Sequence, residues 1–466
     1  MRNPALIISI LILNLNIYAQ GYNIRLKIRD YENDTLIIGY YYGEKQLVKD
    51  TVFAAKKGEF IFQGKEKLDQ GMYLALMKPD NSFVQFLIND EQKFEIEFNK
   101  NENTKLKFIK SDENSRFYEY MDYIKNKSTS LAPLRDALKK AQDNKSNDTA
   151  NLQTKLDIAD KEVKSYQNKY IDSYPNTYMT NLIKSTFDVE IPKYEGKKED
   201  VDMLRFKYYK EHFFDNTDFN YPHLIRTPFI HNKIDSYIKK LTSQHPDSIN
   251  ISVDYILQKF SNNPDAFKYY LSHFLNEYAN SNIIGLDKVF IHIADKYYAK
   301  GKATWVKEDN LKKIMEEANN LRNILIGEIF PNIVTYKEDQ SPFILHQHSS
   351  PYTVLLFWEP SCGHCKKAIP FVVEFLEKFK DKGVSVVTVC AKGHEKYNTC
   401  WEAVKEKKME SLINTGDQYQ RFREILKFIK FPKIFILDAK KEILFKDISA
   451  EDLGKIMEEI MKKSNY

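Results

Sequence analysis

Glycine is scarce in this chain, 15 residues in 466, about half of ordinary usage. Together with 30 Tyr and 30 Phe, that composition suits packed helices and strands rather than linkers. Cysteine is scarcer still, at four, so there is no second Cys-x-x-Cys pair to complete a structural zinc site. Neither sign of charge dominates. The 70 basic and 65 acidic residues are interspersed for a net +5, without the basic stripe that nucleic acid requires, and no nucleic-acid partner is expected. Long apolar runs are missing beyond the N-terminus. There, Arg2 precedes the mostly apolar Ala5–Leu15, and Tyr18-Ala19-Gln20 offers a small residue for cleavage. Residues 1–19 therefore read as a secretory signal. The stretch is short for a membrane span and is broken by Asn14 and Asn16; an uncleaved anchor is the alternative. The expected location is the periplasm or cell envelope, where disulfides persist.

Several domains are expected at this length. Residues 20–110 form a β-rich, sandwich-like segment in which short apolar or period-two runs alternate with turn formers such as Asn33-Asp34 and Lys57-Gly58. Residues 111–325 read as helical and lysine-rich, with one long helix over Thr149–Ser173 and prolines 192, 222, 246 and 264 at the joints. Residues 326–466 alternate strands and helices. The fold class is thus multidomain, α+β with α/β: an N-terminal antiparallel β domain, a helical middle domain and a C-terminal α/β domain.

The chemistry is concentrated in Cys362-Gly363-His364-Cys365. This motif follows the apolar run Thr353–Trp358 and precedes apolar residues at helical spacing, Ile369, Val372, Val373, Leu376 and Phe379. Two cysteines so spaced at a helix start can close a small reversible disulfide. A helix N-terminus favours a thiolate through its free N–H groups and dipole, and thiolate is the attacking species in disulfide exchange. Attachment of c-type haem needs His directly after the second cysteine, and that residue is Lys366. His346 and His348 share a strand face but have no third metal ligand nearby in the sequence. No metal or organic cofactor is expected.

The segment from about 326 to the end resembles the thioredoxin superfamily, specifically the TlpA-like bacterial envelope thioredoxins. The residues that carry the resemblance are Phe357-Trp358, the Cys-Gly-His-Cys motif, Pro370, and Phe431-Pro432 just before Ile434–Asp438; Gly327–Asn332 looks like the opening of such a domain. The layout as a whole is similar to exported bacterial proteins with a β-rich first domain and a helical middle domain, and Val389-Cys390 and Ile448–Leu453 are similar to that set. The resemblance implies a thioredoxin fold, with Cys362 attacking, Cys365 resolving, and a cis Phe431–Pro432 bond presenting backbone to the substrate chain. It places Trp358, Phe431 and Pro432 at the substrate, and Gly363 and His364 as residues that tune the pair. Gly-His resembles the dipeptide of protein disulfide isomerases and is expected to favour the reduced form more than Gly-Pro would. Two departures stand out: Ala368 where the family often has an acidic residue, and Leu356 where cytosolic thioredoxins keep a buried Asp. Glu359 is a weak substitute.

The expected function is thiol-disulfide oxidoreduction on protein thiols and disulfides of the envelope, with a membrane redox partner as a further possibility. Two alternatives stay open, a binding or scaffold protein with an accessory thioredoxin module, and a thiol peroxidase. Peroxidase chemistry wants Thr or Ser three residues before the attacking cysteine, where this chain has Glu359. Cys390 and Cys400 are either buried free thiols or a second disulfide.

Overall fold

The computed structural model describes residues 21–464 apart from 103, 282 and 427–429. The expected signal segment 1–19 lies outside the described residues. Among the described residues no helix is long and apolar enough to cross a membrane. The chain divides into two compact units, residues 1–242 with 256–269, and residues 243–255 with 270–466.

The first unit begins with eight strands: β1 (Tyr22–Arg29), β2 (Thr35–Tyr42), β3 (Lys45–Lys56), β4 (Glu59–Gly64), β5 (Gly71–Met77), β6 (Ser82–Ile88), β7 (Lys93–Asn99) and β8 (Lys107–Ile109). They form one sheet, in the order β6-β5-β2-β3-β4-β1-β7-β8, curved into a half-barrel rather than split into a sandwich. The expected antiparallel sheet is mixed, because β7 returns to pair in parallel with β1. β3 was not legible as a strand. Of its twelve residues only Val52 is buried, so it carries no clean alternation. It pairs with both β2 and β4, and through it the sheet continues between its two halves. In β1 and β7 the period of two holds: Ile24, Leu26 and Ile28 of β1 and Phe94, Ile96 and Phe98 of β7 point into one core.

Helices α1 (Asp112–Asp143), α2 (Thr149–Ser173) and α3 (Tyr178–Ser185) follow. The distal halves of α1 and α2 pack on each other through Leu138, Ala141, Leu152 and Leu156; the rest is built onto the sheet. Phe117, Tyr120, Tyr170 and Ile183 pack with Met72, Leu74 and Leu87 from the outer face of the sheet. Asn114, fully buried, accepts the Leu87 amide and donates to the Leu87 carbonyl at 2.7 and 2.8 Å. It thereby satisfies one residue of the edge strand β6 as a neighbouring strand would. The remaining helices of the middle region are α4 (Lys198–His212), α5 (Pro228–Lys240), α6 (Pro246–Lys259), α7 (Pro264–Ala279), α8 (Asp287–Ile293) and α9 (Glu308–Arg322). The division between the two units runs through α6 and α7.

The second unit holds the end of that region and the C-terminal α/β sheet. Its elements are β9 (Val334–Tyr336), β10 (Pro342–Ile344), β11 (Tyr352–Trp358), α10 (Gly363–Phe379), β12 (Val384–Cys390), α11 (Thr399–Glu406), β13 (Ile413–Gly416), α12 (Phe422–Ile425), β14 (Lys433–Leu437), β15 (Ile443–Lys446) and α13 (Leu453–Ser464). The order is β10-β9-β13-β12-β11-β14-β15, with β11, β12 and β13 parallel and β14 antiparallel to β11. Central β11 is buried on both faces. Val354, Leu356 and Trp358 face the core beneath α10 and α13, and Leu355 and Phe357 face a second core with Phe330, Phe422 and Phe435. Burial on both faces explains its unbroken apolar run. Ile324 at the end of the helical region completes the second core.

Candidate active site

β11 ends at Trp358, and the chain turns through Glu359-Pro360-Ser361 to deliver Cys362 as the N-cap of α10. A cap residue keeps extended backbone while its side chain accepts one of the orphan amides of the first turn. Here the acceptor is a sulfur: the Cys365 amide donates to Cys362 Sγ at 3.3 Å. Cys362 is half-buried and Cys365 is buried one turn along. Burial, reinforced by the hydrogen bond with Cys362, pushes the Cys365 thiol up to about 12. The pair therefore divides into an accessible sulfur at the helix start and a protonated one held beneath it. Gly363 and His364 are exposed, and a Cβ at Gly363 would meet open space.

The loop before β14 supplies the opposite side. The Phe431–Pro432 peptide bond is cis. The Cys362 thiol donates to the Phe431 carbonyl at 3.4 Å, which brings 431 and 432 to the dithiol although they lie some seventy residues away in sequence. Phe431 and Pro432 are both half-buried. Trp358 lies in the core against which Cys362 and Phe431 pack. The sequence reading places it at the substrate, yet the structure buries it completely on the face of β11 that carries α10. Strand alternation dictates that position, so Trp358 supports the motif from below.

Two residues that the sequence did not reveal complete the surroundings. The Glu359 carboxylate is held by Lys392 at 2.8 Å and by Arg423 at 3.2 Å. Arg423 also donates to the Ala391 carbonyl at 3.1 Å and lies over the Phe431 ring, 5.1 Å from its centroid. One guanidinium thus ties together the ends of β11 and β12 and the loop before Pro432. Its signal was one of two nearby arginines, Arg421 and Arg423, indistinguishable in sequence from solvated charges.

Cys390 and Cys400 form a disulfide, with Cα atoms 6.1 Å apart. Both are buried, and the bridge closes the loop that carries Lys392. His346 and His348 do not converge. Their Nε2 atoms meet the Phe330 carbonyl and the Ser385 hydroxyl respectively, each at 2.7 Å.

Residues 326–446 match the AhpC/TSA family. The C-terminal domain belongs to that thioredoxin-like family. Residues 22–117 and 134–323 match two domains of unknown function, DUF4369 and DUF5106. The chain is 26% identical over 138 residues to the thiol-disulfide oxidoreductases ResA of Bacillus thuringiensis and Bacillus cereus, a match over 30% of this chain and 78% of each relative. A solved thioredoxin-like protein from Bacteroides caccae is similar at 16% identity and a TM-score of 0.45, over 58% of this chain and 97% of that one. The thioredoxin-like domain is therefore a distant relative of thiol-disulfide oxidoreductases.

Proposed function

We propose that the chain is a thiol-disulfide oxidoreductase acting on protein disulfides through Cys362 and Cys365. The observation that carries this reading is the asymmetry of the pair: one accessible sulfur capping a helix, and one buried thiol held protonated against it.

In the reducing direction, the Cys362 thiolate attacks one sulfur of a substrate disulfide. The substrate S–S bond breaks, a mixed disulfide to Cys362 forms, and the departing substrate thiolate takes a proton from water. Cys365 then loses its proton and attacks the Cys362 sulfur. The mixed disulfide breaks, the second substrate thiolate leaves, and the Cys362–Cys365 disulfide remains. Two electrons pass from the chain to the substrate, and the reverse sequence oxidises a substrate dithiol. The steps need neither metal nor organic cofactor. Phe431 and Pro432, beside the attacking sulfur, are the residues we assign to the bound chain. Envelope proteins are the proposed substrates and a membrane redox protein the proposed source of electrons, in keeping with the expected signal over residues 1–19.

Glu359 lies where a thiol peroxidase would want Thr or Ser, and its carboxylate is already held by two cations, which weighs against that alternative. Reduction of insulin by the full chain with dithiothreitol tests the proposal. Catalysed precipitation that disappears in Cys362→Ala is the expected result. A chain no faster than dithiothreitol alone would refute it.

A further inference from the structure

Within the second unit, a groove of about 660 Å³ opens beside the dithiol. One wall is thioredoxin-like: His364 and Ala368 of α10, then Phe431 and Pro432. The other wall comes from the helical region. It is made by Tyr278 and Ala279 at the end of α7, Ile283 and Ile284 before α8, and Leu321 of α9. A volume of this size takes several residues of an extended chain.

The two walls are fixed to each other. Lys446, at the end of β15, is only 3% exposed. Its ammonium pairs with Asp287, the first residue of α8, and donates to the Ile324 carbonyl at 2.8 Å. The segment carrying Ile283 and Ile284 is thereby anchored to the sheet whose strand β14 follows Pro432.

The lining is also selective in character. Ile283 and Ile284 are 60% and 38% exposed, although both are large aliphatic residues. A single exposed isoleucine is ordinary, but two adjacent ones lining the same groove as His364 and Pro432 form a patch. The charges on the floor cancel in pairs, Lys446 with Asp287 and Lys433 with Asp447. The other charged groups of the lining are of both signs, Lys367 and Lys430 against Glu317 and Glu451. Such a groove favours neither an acidic nor a basic segment. What it offers is apolar contact from two walls, Phe431 and Pro432 on one and Ile283, Ile284 and Leu321 on the other.

We propose, resting on the oxidoreductase reading, that this groove binds an extended polypeptide segment with uncharged apolar side chains beside its disulfide. Ile283 and Ile284 of the helical region set that preference. The helical region is then part of the substrate site of the thioredoxin-like domain. Small disulfides, which reach Cys362 without filling the groove, gain nothing from it.

The test uses the pre-reduced full chain and three oxidised probes: a disulfide peptide with Leu and Val beside its cysteines, the same peptide with Ser in their place, and glutathione disulfide. Exchange rates are followed against probe concentration. The wild-type chain is expected to favour the apolar peptide over the Ser peptide by about tenfold, through a lower half-saturating concentration. In the double variant Ile283→Ser, Ile284→Ser that preference should fall to about threefold or less. Its maximal rate and its rate with glutathione disulfide should stay within about twofold of wild type. Equal rates for the two peptides with the wild-type chain overturn the proposal without recourse to any variant. An equal loss on all three probes in the variant also overturns it. A wild-type chain that exchanges with none of the three brings down the oxidoreductase reading instead.

Discussion

The thiol of Cys362 meets the backbone carbonyl of Phe431 at 3.4 Å, so the attacking sulfur and the loop assigned to the substrate touch before any substrate is present. A partner chain that displaces this contact finds the sulfur already at the helix start, with Cys365 one turn below it. Replacing Cys362 by Ala removes the half-buried sulfur and little core volume. Cys362→Ala should fold normally and lose disulfide exchange entirely, while Cys365→Ala should accumulate mixed disulfides. Non-reducing gels and insulin turnover read both outcomes; turnover by Cys362→Ala would reverse the assigned roles.

The two thiols should separate by pH. With Cys365 pushed up to about 12, its thiolate fraction at pH 8 is about one in ten thousand. Iodoacetamide at pH 8 should therefore label Cys362 of the reduced protein and leave Cys365 unmodified, as read by mass spectrometry. Because the protonated thiol is the form favoured by folding, its contribution to stability is full below the ordinary thiol range. It is lost as pH rises from about 9 toward about 12. Denaturation of the reduced protein across that range should show a decline that Cys365→Ala lacks. Labelling of both cysteines at equal rates would contradict the burial of Cys365.

The Cys390–Cys400 bridge closes a short loop, with a sequence separation of 10. Chain-entropy arguments give about 2–3 kcal/mol for a loop of that size. The double variant Cys390→Ala, Cys400→Ala should lose that much in urea denaturation and still carry out exchange through the intact motif. A loss of exchange at full stability would mean that the second pair takes part in electron transfer.

His364 is exposed beside the attacking cysteine. With Gly-His in place of Gly-Pro, the reduction potential is expected between about −270 mV for thioredoxin and about −120 mV for DsbA. His364→Pro should move it toward the thioredoxin end without a change in thermal midpoint. Glutathione equilibration gives the value, and a wild-type potential below that of thioredoxin would contradict the role given to His364.

Legibility in the sequence followed burial. β11 and β12 are buried on both faces and read as unbroken apolar runs, and α2 was legible to its end residues, Thr149–Ser173. β3 escaped because solvent reaches nearly all of it, and β9, β10 and β13 because three or four residues carry no period. In the site, Cys362 and Cys365 announced themselves by spacing, and the cis bond before Pro432 followed from the family resemblance. Arg423 and Lys392 did not, since their importance comes from meeting Glu359 from three separate segments, two loops and the short helix α12. Ile283 and Ile284 looked like any apolar pair between helices, and only the fold sets them in the lining of a groove with Pro432.

The ion pair between Lys446 and Asp287 gives the last prediction. Lys446 has a side chain 3% exposed and Asp287 one 14% exposed, so neither charge is well solvated. Breaking such a pair from one side leaves the other charge buried without compensation, at about 3–5 kcal/mol, whereas replacing both partners by apolar groups is often close to neutral. Lys446→Met should therefore destabilise the chain by about 3 kcal/mol, and the further change Asp287→Leu should restore much of it. The single variant should also loosen the wall that carries Ile283 and Ile284, and so weaken exchange with the apolar peptide more than exchange with glutathione disulfide. In the double variant, stability returns while the wall loses its charged anchor. Chemical denaturation and the two exchange assays, run on the same three proteins, separate a global loss of stability from a local loss of the groove. A Lys446→Met protein as stable as wild type would show that the pair holds nothing in place.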